Sequence, residues 1–178
     1  MRKFTEGLVD PQLIVSSLNI KQGQTVIDAG CGTGYMAKIF SQAVSASGKV
    51  YAVDRDSYFI TKLANEIKGT NIDAIKGDIT KLDQLPDHFT DHLYVSTVIH
   101  SLPRNKLADF IQEAKRLLKF DAQLAIVEIE KKETPFGPAM ENRYSPEELI
   151  KKIPMVPTKT VKVGEYFYMQ VFQNTDEL

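Results

Sequence analysis

The 178-residue sequence predicts an α/β fold: a doubly wound seven-stranded sheet with five parallel strands and a C-terminal hairpin whose last strand is antiparallel. Three observations predict it. Short apolar runs alternate with longer amphipathic ones, which places helices on the faces of a parallel sheet. The first apolar run ends in an acid and passes directly into a glycine turn, VIDAGCGTGY at residues 26–35. Near the C-terminus, TKTVKV and YFYMQVF are separated only by Gly164-Glu165, and so tight a turn makes two strands antiparallel.

Each element has its own signal. An N-terminal helix is expected around Pro11 to Leu18. QTVID (Gln24 to Asp28) reads as the first strand, and Tyr35 to Val44 as a helix with Met36, Ile39, Phe40 and Ala43 on one face. VYAVD (Val50 to Asp54) is the second strand, followed by a helix over Tyr58 to Ile67. IDAIK (Ile72 to Lys76) is a more polar third strand. DHLYVST (Asp91 to Thr97) is the fourth, and Pro103 opens a helix running to about Leu118. QLAIVE (Gln123 to Glu128) is the fifth. Ser145-Pro146-Glu147-Glu148 starts a helix, with serine at the cap and proline where a missing N–H costs nothing. The hairpin closes the chain with Thr158 to Val163 and Tyr166 to Phe172. Neither repeat, low-complexity segment nor linker divides it. One domain over 1–178 is expected: a helical cover (1–22), a cofactor-binding core (23–130), and a loop, helix and hairpin (131–178).

Composition bounds the function. Apolar residues make up 43% of the chain, enough for a real core. No stretch approaches the roughly 18 apolar residues of a membrane span, and MRKFTEGLVDPQ lacks the features of a secretory signal. The single cysteine, Cys31, excludes an internal disulfide and a cysteine-rich metal site, so no metal is expected. A cytoplasmic protein is the expectation. With net charge −1 and no run of like charges, a nucleic-acid partner is disfavoured. Lys115-Arg116, Lys131-Lys132 and Lys151-Lys152 read as solvated faces.

A strand that enters a helix through glycines offers free N–H groups and a positive dipole end to an anionic ligand. The register narrows the choice. A dinucleotide fingerprint needs glycine at position 35, where Tyr35 stands, and a phosphate-binding P-loop needs a Gly-Lys-Ser/Thr ending that is absent. Asp54, twenty residues past Gly34 at a strand end, is suited to accept both hydroxyls of a ribose, although VDRDS also reads as an ordinary turn. Gly77-Asp78-Ile79 after the third strand could read an adenine edge and pack on its face. It reads equally as a turn and helix cap.

Together, Asp28-x-Gly30-x-Gly32-x-Gly34, Asp54 and Asp78 resemble the S-adenosylmethionine site of class I methyltransferases, and the resemblance covers nearly the whole chain. DAGCGTGY, STVIHSL and EAKRLLK are most similar to the ubiquinone/menaquinone-biosynthesis group, often called type 11. Phe120-Asp121-Ala122 departs from the Pro-Gly-Gly turn usual in that group. The resemblance implies a Rossmann-like fold with S-adenosylmethionine as cofactor and S-adenosylhomocysteine as product. It also implies roles. Backbone around Gly30, Cys31 and Gly32 faces the methionine part, whose carboxylate benefits from the helix start near Thr33 and Gly34. Asp28 fixes the loop or meets the ammonium through water, and Asp54 holds the ribose. Arg55 and Ile79 flank the adenine, Asp78 accepts from its amino group, and Ser96 lines the floor. Cys31 is a small packing residue rather than a nucleophile.

Such an enzyme mainly aligns a nucleophile for direct in-line displacement at an activated methyl. A general base is optional, and His100, just after the fourth strand, is the best-placed candidate, although a lone histidine there also reads as structural. Glu128 and Arg143 are candidates to face the acceptor, with capping and surface pairing as competing readings. The fourth strand lacks the Asn-Pro-Pro-Tyr-like tetrapeptide of amino-methylating DNA enzymes. There is no Pro-Cys for cytosine C5 chemistry, and one thiol is too few for arsenic methylation. A small or medium-sized acceptor is the main expectation. The alternatives are a macromolecular acceptor or a non-catalytic cofactor-binding subunit, and a homo-oligomer or partner subunit fits either. A nicotinamide oxidoreductase fails on loop register and on the hairpin tail.

Overall fold

The computed structural model describes residues 5–175; the remaining ends of the expected domain, 1–4 and 176–178, lie outside the described residues. Seven strands form one sheet: β1 (Thr25–Ala29), β2 (Lys49–Asp54), β3 (Ile72–Lys76), β4 (Thr90–Ser96), β5 (Leu118–Ile129), β6 (Val156–Lys162) and β7 (Phe167–Gln173). Their spatial order is β3-β2-β1-β4-β5-β7-β6. The first five are parallel, and β7 inserts between β5 and β6, antiparallel to both. The expected sheet is therefore the one observed. Strand order reverses between β1 and β4, so the crevice at their carboxyl ends is where this topology receives ligands.

Alternating side chains feed two cores. On one face, Tyr94, Ala125 and Val127 pack against α1 (Pro11–Leu18), α2 (Tyr35–Val44) and α3 (Ser57–Glu66). On the other, Leu93, Val95, Leu124 and Ile126 pack against α4 (Leu107–Leu117) and α5 (Pro146–Lys152). Between β3 and β4 the chain makes no helix. Ile79, Leu82 and Leu85 cover the sheet there instead. Polar bonds from α4 fix that segment: Glu113 accepts from the Leu82 N–H at 2.6 Å, and Arg116 donates to the carbonyls of Leu82 and Leu85 at 3.1 and 3.0 Å.

Two boundaries differ from the sequence reading by more than two residues. The helix expected from Pro103 begins at Leu107, because Pro103 is extended and Arg104–Lys106 forms a single 3₁₀ turn first. β5 starts five residues earlier than its apolar run, at Leu118. Pairing with β4 continues through a register shift between Thr90 and His92, and Asp121 takes a left-handed φ of 61° where the related group has its glycine turn. The N-terminal segment docks on the hairpin, with the Asp10 N–H donating to the Val163 carbonyl at 2.7 Å and Lys159 Nζ to the Ser17 carbonyl at 2.8 Å.

Candidate functional site

The loop from β1 to α2 is shaped by its neighbours. The N–H groups of Gly30 and Cys31 both donate to the Val53 carbonyl, at 2.8 and 2.9 Å, which ties the loop across to β2. Gly30 and Gly34 have φ of 77° and 76°, where a side chain is strained. A Cβ on Gly30 would overlap a Val98 methyl, and one on Gly34 the Leu63 side chain. Cys31 is buried between them. Burial first, then the nearby carboxylates of Asp28 and Asp54, pushes its thiol well above the ordinary range, which leaves it unreactive.

The acids beyond the loop have partners of their own. Asp54 Oδ2 accepts the Gly32 N–H and Oδ1 the Asp56 N–H, each at 2.9 Å, and each oxygen keeps a lone pair for a ligand hydroxyl. Arg55 follows it, exposed. Asp78 Oδ1 accepts from the Thr80 N–H at 2.9 Å and the Thr80 hydroxyl at 2.7 Å, which holds its carboxyl below the usual range. Asp78 is exposed, while Ile79 turns into the core at 7% exposure. No helix follows Asp78, so its carboxylate closes a turn onto Thr80 instead of capping one.

Beneath the glycine loop lies a small polar pocket. Asp28 Oδ2, Tyr94 Oη and Ser96 Oγ are all buried there without a well-formed hydrogen bond among the described residues, although the two hydroxyls neighbour each other, and Thr33 is on the same wall. Unpartnered buried polar atoms are costly, and three in one pocket are the signature of a site shaped for a polar ligand. Burial, and secondarily the charge of Asp54, raises the Asp28 carboxyl to about 7. Burial likewise pushes the Tyr94 phenol up. Thr97, next along β4, has φ 55°, an unfavoured backbone at the carboxyl end of the strand. The pocket also includes Thr5 and Glu6. Tyr94, Thr5 and Glu6 escaped the sequence reading: Tyr94 looks like any apolar strand residue, and Thr5 and Glu6 arrive only through docking of the N-terminal segment.

A second recess lies past β4 and β5, and it brings two of the candidate residues together. His100, in a 3₁₀ turn at Ile99–Ser101, places Nδ1 2.6 Å from Oε2 of Glu128, and its backbone N–H donates to Oε1 at 3.3 Å. Glu128 is 1% exposed. A carboxylate can only accept, so Nδ1 carries a proton, and in the neutral ring Nε2 is left as the acceptor; His100 lines a cleft of about 200 Å³. Leu102, Leu107 and Tyr144 supply apolar wall. Arg143 is also on the wall, but its guanidinium makes five bonds to its own loop: to the carbonyls of Pro138, Glu130, Lys132 and Phe136 and to the Thr134 hydroxyl. Its first job is to hold residues 130–143 over the cleft. Among the described residues no three histidines, cysteines or acids cluster to hold a metal ion, and no helix is long and apolar enough to cross a membrane.

Comparison with known proteins identifies a family and similar folds. Residues 26–121 match the methyltransferase domain family. A crystal structure of an S-adenosylmethionine-dependent methyltransferase from Aquifex aeolicus is similar, with TM-score 0.86 and 28% identity, over 96% of this chain and 93% of that one. A protein-L-isoaspartate O-methyltransferase from Methanococcus maripaludis is 32% identical over 95 residues, covering 52% of this chain and 44% of that protein. A probable ribosomal RNA small subunit methyltransferase A from Pyrococcus furiosus is 29% identical over 113 residues, 64% of this chain and 36% of that protein. The chain spans less than half the length of these two curated relatives.

Proposed function

This chain belongs to the methyltransferase domain family, and we propose that it works with S-adenosylmethionine and methylates a small or medium-sized acceptor with His100 as general base. Bound in the crevice, the cofactor supplies an activated methyl that a nucleophile displaces directly, in line with sulfur. Asp28, Tyr94 and Ser96 would hold its methionine end with the loop N–H groups. Asp54 would hold the ribose, and Asp78 and Arg55 would flank the adenine. Ile79 contributes from beneath as packing.

The observation that carries the base assignment is the 2.6 Å contact between His100 Nδ1 and the buried Glu128 carboxylate. It fixes the imidazole tautomer and orientation and stabilises the imidazolium formed when Nε2 takes a proton. Glu128 is then a positioning residue behind the base. The small cleft favours a small acceptor over the protein and RNA substrates named for the relatives. The test is methyl transfer from S-adenosylmethionine, read by mass spectrometry, across phenols, amines and carboxylic acids, with an isoaspartyl peptide and a ribosomal RNA fragment as the macromolecular arms. Turnover confined to the macromolecules would reject the small-acceptor reading.

A further inference from the structure

The charges around the cleft are not balanced. Arg143 is 6% exposed, and all five of its bonds go to neutral oxygens. Among the described residues no carboxylate lies within 4.0 Å of it. A buried guanidinium satisfied in hydrogen bonds but not in charge projects its field into the adjoining cleft. Two more cations line that cleft. Arg104 makes a long bond to the Glu141 carbonyl, at 3.4 Å, and Lys152 makes no hydrogen bond or ion pair among the described residues, although its charge acts on Glu148.

The surrounding lysines behave differently. Lys131 pairs with Glu148 at 2.6 Å, Lys162 with Glu130 at 3.0 Å, and Lys132 also with Glu130. Of the acids near the cleft, Glu148 pairs with Lys131, Glu128 bonds the neutral His100 ring with no cation beside it, and the exposed Glu141 is uncommitted. Around the cleft, the four cations Arg104, Lys131, Arg143 and Lys152 face the three acids Glu128, Glu141 and Glu148, which leaves an excess of positive charge.

Resting on the acceptor site proposed above, we infer that this cleft takes a small acceptor bearing one carboxylate or phosphate group, held by Arg104 and Lys152 in the field of Arg143. Leu102, Leu107 and Tyr144 receive its hydrocarbon body. The same cations lower the cost of ionising the acceptor's nucleophile, so they assist the proton transfer to His100 Nε2 as well as binding.

The test needs no turnover. The protein saturated with S-adenosylhomocysteine is titrated by calorimetry with benzoate, phenyl phosphate and benzamide. At least one anion is expected to bind roughly tenfold or more tightly than benzamide, and the tighter of the two tells carboxylate from phosphate. Arg104→Gln combined with Lys152→Gln, both at exposed positions, should remove that preference and leave S-adenosylhomocysteine affinity unchanged. Benzamide binding as well as the anions, anion affinity unaltered in the double variant, or no binding of either anion would each overturn the inference. Because base function is read from turnover and this from binding, the failure of one is distinguishable from the failure of the other.

Discussion

Asp54 Oδ2 accepts the backbone N–H of Gly32 at 2.9 Å, so the carboxylate placed to receive a ribose also holds the glycine loop in shape. The two jobs predict a coupled loss. Asp54→Ala should weaken S-adenosylhomocysteine binding at least about tenfold, since a hydrogen bond to a charged group is worth roughly 1.5–3 kcal/mol. It should also lower the melting temperature of the free protein, because the Gly32 and Asp56 N–H groups lose their acceptor. Asp54→Asn keeps an acceptor oxygen and should recover much of the stability but less of the affinity. Calorimetry and thermal melts on the two variants separate the roles.

For the His100–Glu128 pair the expected outcome depends on the acceptor. His100→Gln should leave S-adenosylhomocysteine binding intact and lower turnover by roughly 10²–10⁴ for acceptors protonated at assay pH. For acceptors already ionised, the loss should shrink, because no proton has to move. Glu128→Gln leaves the imidazole without its anionic partner and should reduce turnover in the same acceptor-dependent way. Equal losses on ionised and un-ionised acceptors would mark the pair as structural.

Arg143 predicts a loop phenotype. Arg143→Lys retains the charge but cannot reproduce a fork that reaches five acceptors. These acceptors are only part-buried, so leaving one unpaired costs less than the roughly 1–3 kcal/mol of a fully buried group. The variant should therefore be cut faster by protease within 131–143, while cofactor binding at the opposite side of the crevice stays unchanged.

The sheet was legible because its signals are local: apolar runs, the Gly30-x-Gly32-x-Gly34 turn, and the two-residue turn at Gly164-Glu165. The same is true of Asp28 and Asp54, whose positions follow from where β1 and β2 end. What could not be read depends on contacts distant in sequence. The meeting of His100 with Glu128 arises from the side-by-side packing of β4 and β5, 28 residues apart in the chain. The five-bond role of Arg143 depends on a loop closing on itself, and no residue pattern encodes that. The missing helix after β3 has a related cause: Glu113 and Arg116, far along the chain, supply the hydrogen bonds that a helix would have made internally.

At the other end of the sheet, His92 is buried with Nε2 3.0 Å from Gln24 Oε1, and burial lowers it to about 4. Between that value and its ordinary 6.5, the unfolded chain binds more protons than the folded one. Stability contributed by neutral His92 is therefore present above 6.5 and lost as pH falls toward about 4, by at most about 1.4 kcal/mol per pH unit. His92→Gln should remove that acid loss, so in denaturant unfolding followed as a function of pH the stability difference between wild type and variant changes between about 6.5 and about 4.

Asp28 acts in the same window with the opposite sign. Its carboxyl is raised from 3.8 to about 7, chiefly by burial. Between those values the folded state holds a proton that the unfolded chain has released, so stability falls as pH rises from about 4 to about 7 and is level above. Acid loss from His92 and alkaline loss from Asp28 offset each other, and the wild-type profile should look flatter than either variant's. Asp28→Asn removes the alkaline loss and should stabilise the free protein at pH 8. Cofactor binding separates this effect from simple burial. An ammonium placed beside Asp28 Oδ2 favours the carboxylate, so binding of S-adenosylhomocysteine should release a proton below about pH 7 and weaken as pH falls through that value. Calorimetry in buffers of different ionisation enthalpy measures the proton directly. Asp28→Asn should bind more weakly and release none. If wild type and variant show the same pH dependence of affinity, Asp28 is a loop support alone and the ammonium lies elsewhere.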